Sequence, residues 1–534
     1  MRIKSLLMPI KVLFLTSAAL SAALVAGCAL PPPKEAPHPH QLANDNVGLG
    51  GVAVEPVADG WWNSFQDPQL DRLIRQGLKD SPTLTQAQAR VGAALAQAQS
   101  AQAGLKPSAN LDASAFYQRA PANYVIPPPL AGHSFWEGQA GASFGWDLDF
   151  WGRQADAVHR AQDLTQSARF DVDNARLMLA GAITQAYVDL YREYALADIA
   201  ARSEAQRQNI VNITRRRVAA GLDTQLELRE AEGQLPQARV ARAQAQAAAD
   251  LAVHELAALT AQGADAYASI QRPLLQVEAA LPVPTALPIN LLARRPDVLS
   301  ARLTVAAADA QRLAAKAAFY PEVNLRAIAG FGAFGMSNLV QSSARGYGIG
   351  PLISLPLFDG GRLRAEYRGS EADLDAAIAG YNDTVLRAVQ QTADQITRID
   401  ALARERVDQQ QTLDSTEAAY KLAEERYRAG LASYLSVLNA ETQVLTARQS
   451  MVDILTSQAV ARVTLLLAVG GSFDPRASGA GAPASGALAQ AGAPASPSQF
   501  SAQSPSQSPS QTSAQASSQP SSESSSRIVT RINP

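Results

Sequence analysis

Two hydrophobic periods alternate along this chain. Over 152–219 and again over 361–428, apolar residues recur every three to four positions with no proline inside. Each stretch predicts one uninterrupted helix of about 68 residues, about 100 Å long at roughly 1.5 Å per residue. Rods of that length exceed what a globular core uses. Both end at an Ala-Gly break, Ala220-Gly221 and Ala429-Gly430, followed by Leu222 and Leu431. Glycine tolerates the left-handed backbone of a helix end, so each break predicts a reversal into a return helix, over 223–260 and 431–468. The second return helix carries apolar residues at a spacing near 3.5: Leu431, Leu435, Leu438, Leu445, Val452, Ala459, Val463 and Leu466. That seam predicts long coiled packing along those positions.

Ahead of each rod the period becomes two. Leu111, Ala113, Ala115 and Tyr117 alternate with polar residues, and Ala140, Ala142, Phe144, Trp146 and Leu148 alternate with Gln139, Ser143, Asp147, Asp149 and glycine. This predicts a hairpin over 109–149 whose second strand begins at Gln139. A second hairpin is predicted over 323–355, with Val323, Leu325, Ala327, Ala329 and Phe331 in one strand and Tyr347, Ile349 and Ile353 in the other. One apolar and one polar face suits a strand of a membrane barrel, and equally a soluble hairpin with one buried face.

The succession is duplicated. Residues 217–239 and 426–448 superimpose without a gap at an offset of 209, which also pairs Gly152-Arg153 with Gly361-Arg362. Pro107 pairs with Pro321, and Pro82 with Pro296, at an offset of 214. These residues bound six regions: an export signal over 1–27, a leader over 28–60, a first repeat over 61–261, a crossover of turns or short strands over 262–290, a second repeat over 291–470, and a disordered tail of Gly, Ala, Pro, Ser and Gln over 471–534. Within the first repeat, Trp61-Trp62-Asn63-Ser64-Phe65 reads as packing before a short helix whose apolar face is Leu70, Leu73, Ile74 and Leu78. Ser81-Pro82 and Arg295-Pro296-Asp297 read as helix starts.

Four strands cannot seal a pore in lipid, because each unpaired backbone group at an open edge costs several kcal/mol. Three copies would supply twelve strands, with the rods forming a tube beneath them. The competing reading is a coiled-coil strut without a pore.

Composition narrows the chemistry. The chain has 534 residues, 47% apolar, and a formal net charge of −2, so nothing points to nucleic acid. No nucleophile and base cluster, cofactor fingerprint or metal spacing is present, so neither an enzyme nor a cofactor is expected. His38 and His40 read as members of a solvated, proline-flanked leader. Cys28 is the sole cysteine and follows Arg2, Lys4, Lys11 and an apolar run from Val12 to Ala26. Leu24-Val25-Ala26-Gly27-Cys28 resembles the bacterial lipoprotein box, which implies acylation of Cys28 and tethering to outer-membrane lipid.

Four segments in register, 61–74 (WWNSFQDPQLDRLI), 294–298 (RRPDV), 318–325 (AFYPEVNL) and 426–441 (RYRAGLASYLSVLNAE), resemble the outer membrane efflux protein family, in its NodT-type lipoprotein branch. The resemblance implies a homotrimer of a twelve-stranded membrane β-barrel on an all-α helical tunnel. It also implies a periplasmic entrance closed at rest, and partnership with a periplasmic adaptor and an inner-membrane pump. It places the closed entrance at Leu435, Ser436 and Asn439, with Tyr427 holding neighbouring helices together through Glu227. Family members often carry aspartate at the positions of Ser436 and Asn439; here the matching sites of the first reversal hold Glu227 and Glu230 instead. A solvated, salt-bridged face also accounts for Glu227, Arg229 and Glu230. Gly221, Leu222, Gly430 and Leu431 are the implied adaptor-docking tips, and Pro107, Gly152, Pro321 and Gly361 the junctions between barrel and tunnel. The cargo is not legible.

Overall fold

The computed structural model describes residues 34, 37–43, 47–49, 57, 59–123, 127–278, 281, 284–288 and 290–474. The expected signal, Cys28 and all but the first four residues of the expected tail lie outside the described residues. A 3-10 turn, Trp61–Phe65, leads into α1 (Pro68–Asp80) and α2 (Pro82–Gly104), then β1 (Ser108–Arg119) and β2 (Ser134–Asp147). The long helix α3 (Arg153–Ala219) reverses into α4 (Gln225–Leu259). After the short α5 (Leu291–Arg294), the order recurs as α6 (Pro296–Ala317), β3 (Glu322–Phe334), β4 (Arg345–Ser354), α7 (Arg362–Arg428) and α8 (Tyr434–Ala468). Both long helices have 67 residues and both return helices 35.

The starts follow local chemistry. Ser81 accepts a hydrogen bond from the Leu84 amide and Pro82 occupies the first turn of α2. Gly152 and Gly361, with φ of 79° and 93°, let the chain turn from sheet into rod. Just ahead of them, Asp149 accepts from the Ala155 amide and Asp359 from the Leu363 amide, each placing a carboxylate at the positive end of a long helix. At the same junction Trp151 stacks on Tyr320 with ring centroids 4.8 Å apart and donates to the carbonyl of Pro321. Arg153 bridges Asp147 and Glu322, joining the two hairpins at their base. Pro107 and Pro321 sit just before β1 and β3, and Gly152 and Gly361 just before α3 and α7.

The four strands form one antiparallel meander, β1-β2-β3-β4. Its register aligns Leu111, Ala142, Ala329 and Tyr347 in one row and Ala109, Phe144, Ala327 and Ile349 in the next. The expected alternation therefore gathers into one apolar face across all four strands. That face is solvent-exposed within a single chain: Leu111 is 82% and Tyr347 91% exposed. The opposite face carries Asn110, Ser143 and many glycines. Gly141 opposes Gly330 there, and a Cβ on Gly330 would lie 2.6 Å from the Gly141 Cα, so the close approach of β2 and β3 requires glycine.

Two apolar clusters pack where the helices are most crowded. One centres on Tyr187, Leu256 and Leu466, under Trp61, Trp62 and Phe65; the other joins Leu291, Val298, Val385 and Leu465. The Arg294-Arg295 pair closes α8. Arg294 donates to the carbonyl of Gly471 and Arg295 to that of Ala468, while Asp297 holds Arg295 bidentately. Cations at a helix C-terminus satisfy its free carbonyls and its dipole.

Three expectations need correction. The strand β2 starts at Ser134, five residues before Gln139, because Phe135 and Glu137 interrupt the clean alternation yet keep the pairing with β1. The crossover takes the turn form of the two expected for it, a 3-10 turn at Ala264–Ser269 with no regular strand among the described residues, and stands as read; its prolines deny a ladder its donors. Leu431 and Leu435 are 72% and 59% exposed, whereas Tyr434, Val437, Glu441 and Val444 are buried. The first two positions of the seam therefore face away from this chain, while Leu438 and an adjacent set of positions pack inward. Part of the leader is not a solvated linker. Asn382 accepts from the Leu42 amide and donates to the His40 carbonyl, and His38 Nδ1 lies 2.8 Å from Asp375 Oδ1.

Candidate functional site

The two reversals at the far end of the rods share one backbone motif. Leu222 donates to the carbonyl of Arg217 and Gly221 to that of Val218; Leu431 and Gly430 repeat this with Arg426 and Tyr427. Gly221 and Gly430, at φ of 71° and 81°, take the left-handed conformation that closes such a helix end. The leucines that follow project outward. Leu222 and Leu226 are 64% and 65% exposed, and with Leu431 and Leu435 they make an apolar edge at the tip.

Inside that edge one polar network joins the ends of α3 and α7. The fully buried Tyr427 donates from its hydroxyl to Asp223 Oδ2 at 2.7 Å and lies 2.8 Å from the Thr214 hydroxyl. Arg217 grips Asp223 with two hydrogen bonds of 2.8 and 2.9 Å, donates to the Tyr427 carbonyl, and sets its guanidinium 4.7 Å from the Tyr427 ring centre. The Arg217 guanidinium holds the Asp223 carboxyl below the usual carboxylate range, with Tyr427 assisting. Burial pushes the Tyr427 phenol up to about 12. A bidentate, charge-assisted pair among buried groups fixes geometry more firmly than an exposed ion pair.

The expected pairing of Tyr427 with Glu227 does not occur. Glu227 lies one helical turn into α4 and accepts from the Thr224 backbone amide at 2.9 Å, while Thr224 accepts from the Leu226 amide. It caps its own helix, which turns it away from α7. Glu230 is exposed. Arg229 pairs with Glu232 at 3.0 Å on a solvated face, as the plainer reading of that segment has it. Ser436 donates its amide to Ser433 at the start of α8, and Leu435, Ser436 and Asn439 all lie on the exposed side of that helix. The structure thus brings Tyr427 together with Arg217, Asp223 and Thr214, none of which stood out in the sequence. One signal was there: within the superimposed repeats Asp223 faces Ala432 and Tyr427 faces Val218, so each copy supplies a polar group the other lacks.

Higher up, Glu441 on α8 is buried and meets Arg207 of α3 at 3.3 Å, with Ser203 donating at 3.4 Å. Burial pushes the Glu441 carboxyl up, against the pull of Arg207. Among the described residues no group of three or more His, Cys, Asp or Glu side chains is placed to hold a metal ion.

A model of the outer membrane efflux protein family matches residues 73–262 and 287–471. The chain is 37% identical over 320 residues to the fusaric acid resistance protein FusA of Burkholderia cepacia, a match covering 59% of this chain and 60% of that one. It is 30% identical over 475 residues to the multidrug resistance outer membrane protein MdtP of Escherichia coli K12, covering 86% and 97%. The solved outer membrane protein VceC of Vibrio cholerae superimposes with a TM-score of 0.74 at 33% identity, over 79% of this chain and all of that one. With an open four-stranded sheet carried on paired 67-residue helices, and with these matches across both halves, the chain belongs to the outer membrane efflux protein family.

Proposed function

We propose that three copies of this chain close a twelve-stranded barrel in the outer membrane and that their helices enclose a periplasmic duct, the passive exit of a tripartite efflux system. The observation that carries this is the sheet: one continuous apolar face, one polar and glycine-rich face, and two unpaired edge strands, β1 and β4. Pairing β1 of one copy with β4 of the next satisfies both edges and puts the apolar face toward lipid. Acylated Cys28 tethers the leader in the same membrane. A strut that conducts nothing has no use for such a face.

In this reading the entrance is closed at the hairpin tips. Leu435 and Asn439, one turn apart on the exposed side of α8, narrow the passage, and the Tyr427, Asp223 and Arg217 network holds each pair of hairpins together. The leucine edge at Gly221-Leu222 and Gly430-Leu431 is the docking surface for a periplasmic adaptor, which couples the duct to an inner-membrane pump. The relatives FusA and MdtP are named for resistance to fusaric acid and to multiple drugs, and small toxic compounds are the proposed cargo here. Single-channel conductance of the purified protein in a planar bilayer tests the reading. Insertion with small resting currents is expected, and Leu435→Ala with Asn439→Ala should raise them; a protein that never conducts, with or without those substitutions, refutes the duct.

A further inference from the structure

The polar face of the sheet changes character at the end remote from the helices. Over its middle rows it carries glycine opposite glycine, Gly141 against Gly330 and Gly330 against Gly346. At the remote end Phe116, Glu137 and Phe334 fall in one register row across β1, β2 and β3. Phe135 belongs to the same face, and its ring meets that of Phe334 at 5.1 Å between centroids, edge to face. These rings are not part of the lipid-facing belt. Tyr117 and Trp136, which pair at 5.4 Å, occupy the opposite set of positions. Phe116 is 63% and Phe334 46% exposed, so their faces are open to whatever fills the barrel.

The charge at this row has one sign. Gln118 donates to the Glu137 carboxylate, and the two arginines at this end of the sheet, Arg119 and Arg345, lie among the lipid-facing positions. Exposed aromatic faces beside a carboxylate suit a cation that is itself weakly hydrated, because the ring quadrupole and the carboxylate attract the same charge. We infer that this row is a binding station for small aromatic or quaternary ammonium cations at the outer mouth of the barrel, an inference that rests on the polar face lining the lumen. Three copies would place nine phenylalanines and three glutamates around one opening, where the rows below them carry no aromatic ring: Ser114, Gln139 and Gly332 in the next, then Asp112, Gly141, Gly330 and Gly346.

The test uses the full-length protein purified in detergent and does not require conduction. Phenyltrimethylammonium, tetramethylammonium and benzenesulfonate are titrated, with binding followed by saturation-transfer NMR and the oligomeric mass measured on the same sample. Phenyltrimethylammonium is expected to bind about tenfold more tightly than tetramethylammonium, and benzenesulfonate not at all. Phe116→Ala with Phe334→Ala should weaken phenyltrimethylammonium about tenfold, Phe116→Leu with Phe334→Leu should weaken it similarly while keeping apolar bulk, and Glu137→Gln should weaken both cations. A trimer that binds all three probes equally, or whose variants bind as the parent does, overturns the station alone. A protein that stays monomeric overturns the barrel reading and the station with it.

Discussion

Removing the Tyr427 hydroxyl should open the proposed duct. In Tyr427→Phe the ring stays in its buried place, while the 2.7 Å hydrogen bond to Asp223 and the 2.8 Å contact with Thr214 are lost. A buried hydrogen bond to an ionised carboxylate contributes about 1.5–3 kcal/mol, so each chain loses about 2 kcal/mol of the link between its hairpins. If three chains open together, the loss is about 6 kcal/mol, comparable with the roughly 5.5 kcal/mol that turns a 1:99 equilibrium into 99:1. Asp223→Ala should act more strongly, because it also strips Arg217 of its bidentate partner; both side chains of that pair are 11% exposed, which leaves an uncompensated charge worth about 3–5 kcal/mol. Glu227→Ala removes a helix cap and touches neither Tyr427 nor Asp223, so conductance should stay at the parent level. The assay is single-channel current in planar bilayers at fixed salt, with trimer content and helical dichroism checked for each variant. Unchanged current in Tyr427→Phe and Asp223→Ala, or an open channel in Glu227→Ala, would refute this account of closure.

Three other outcomes follow from the same geometry. The closing contribution of Asp223, whose carboxyl is held below the ordinary value of 3.8, is present above that value and lost as pH falls through the lower one. That of Tyr427 is present below the ordinary 10.0 and lost as pH rises through about 12, so resting current should be flat between about pH 4 and pH 10 and rise outside it. Glu441→Ala should lower thermal stability by about 3 kcal/mol in a melting experiment, because Arg207, 16% exposed, is left without its carboxylate. Gly330→Ala should cost about 1–3 kcal/mol or block assembly, since its Cβ falls 2.6 Å from backbone on β2; a heat-stable trimer on gels at parental yield would contradict this.

What the sequence determined by itself was everything carried by short-range periodicity. The proline-free runs set α3 and α7, Gly221 and Gly430 set the reversals, and alternation set the strands, because helical and pleated spacing are properties of neighbouring residues. The apolar face of the sheet was legible for the same reason. Tertiary structure alone decided which of several plausible partners meet across long separations. Tyr427 bonds Asp223 rather than Glu227 because the phase of two hairpins over tens of residues, and not proximity in a motif, sets which side chain reaches it. Arg295 finds the carbonyl of Ala468 across 173 positions. Leu435 is left outside because the inward face of α8 rotates with the helices it packs on, and a 3.5-residue seam cannot say which of its neighbours lies in the same chain.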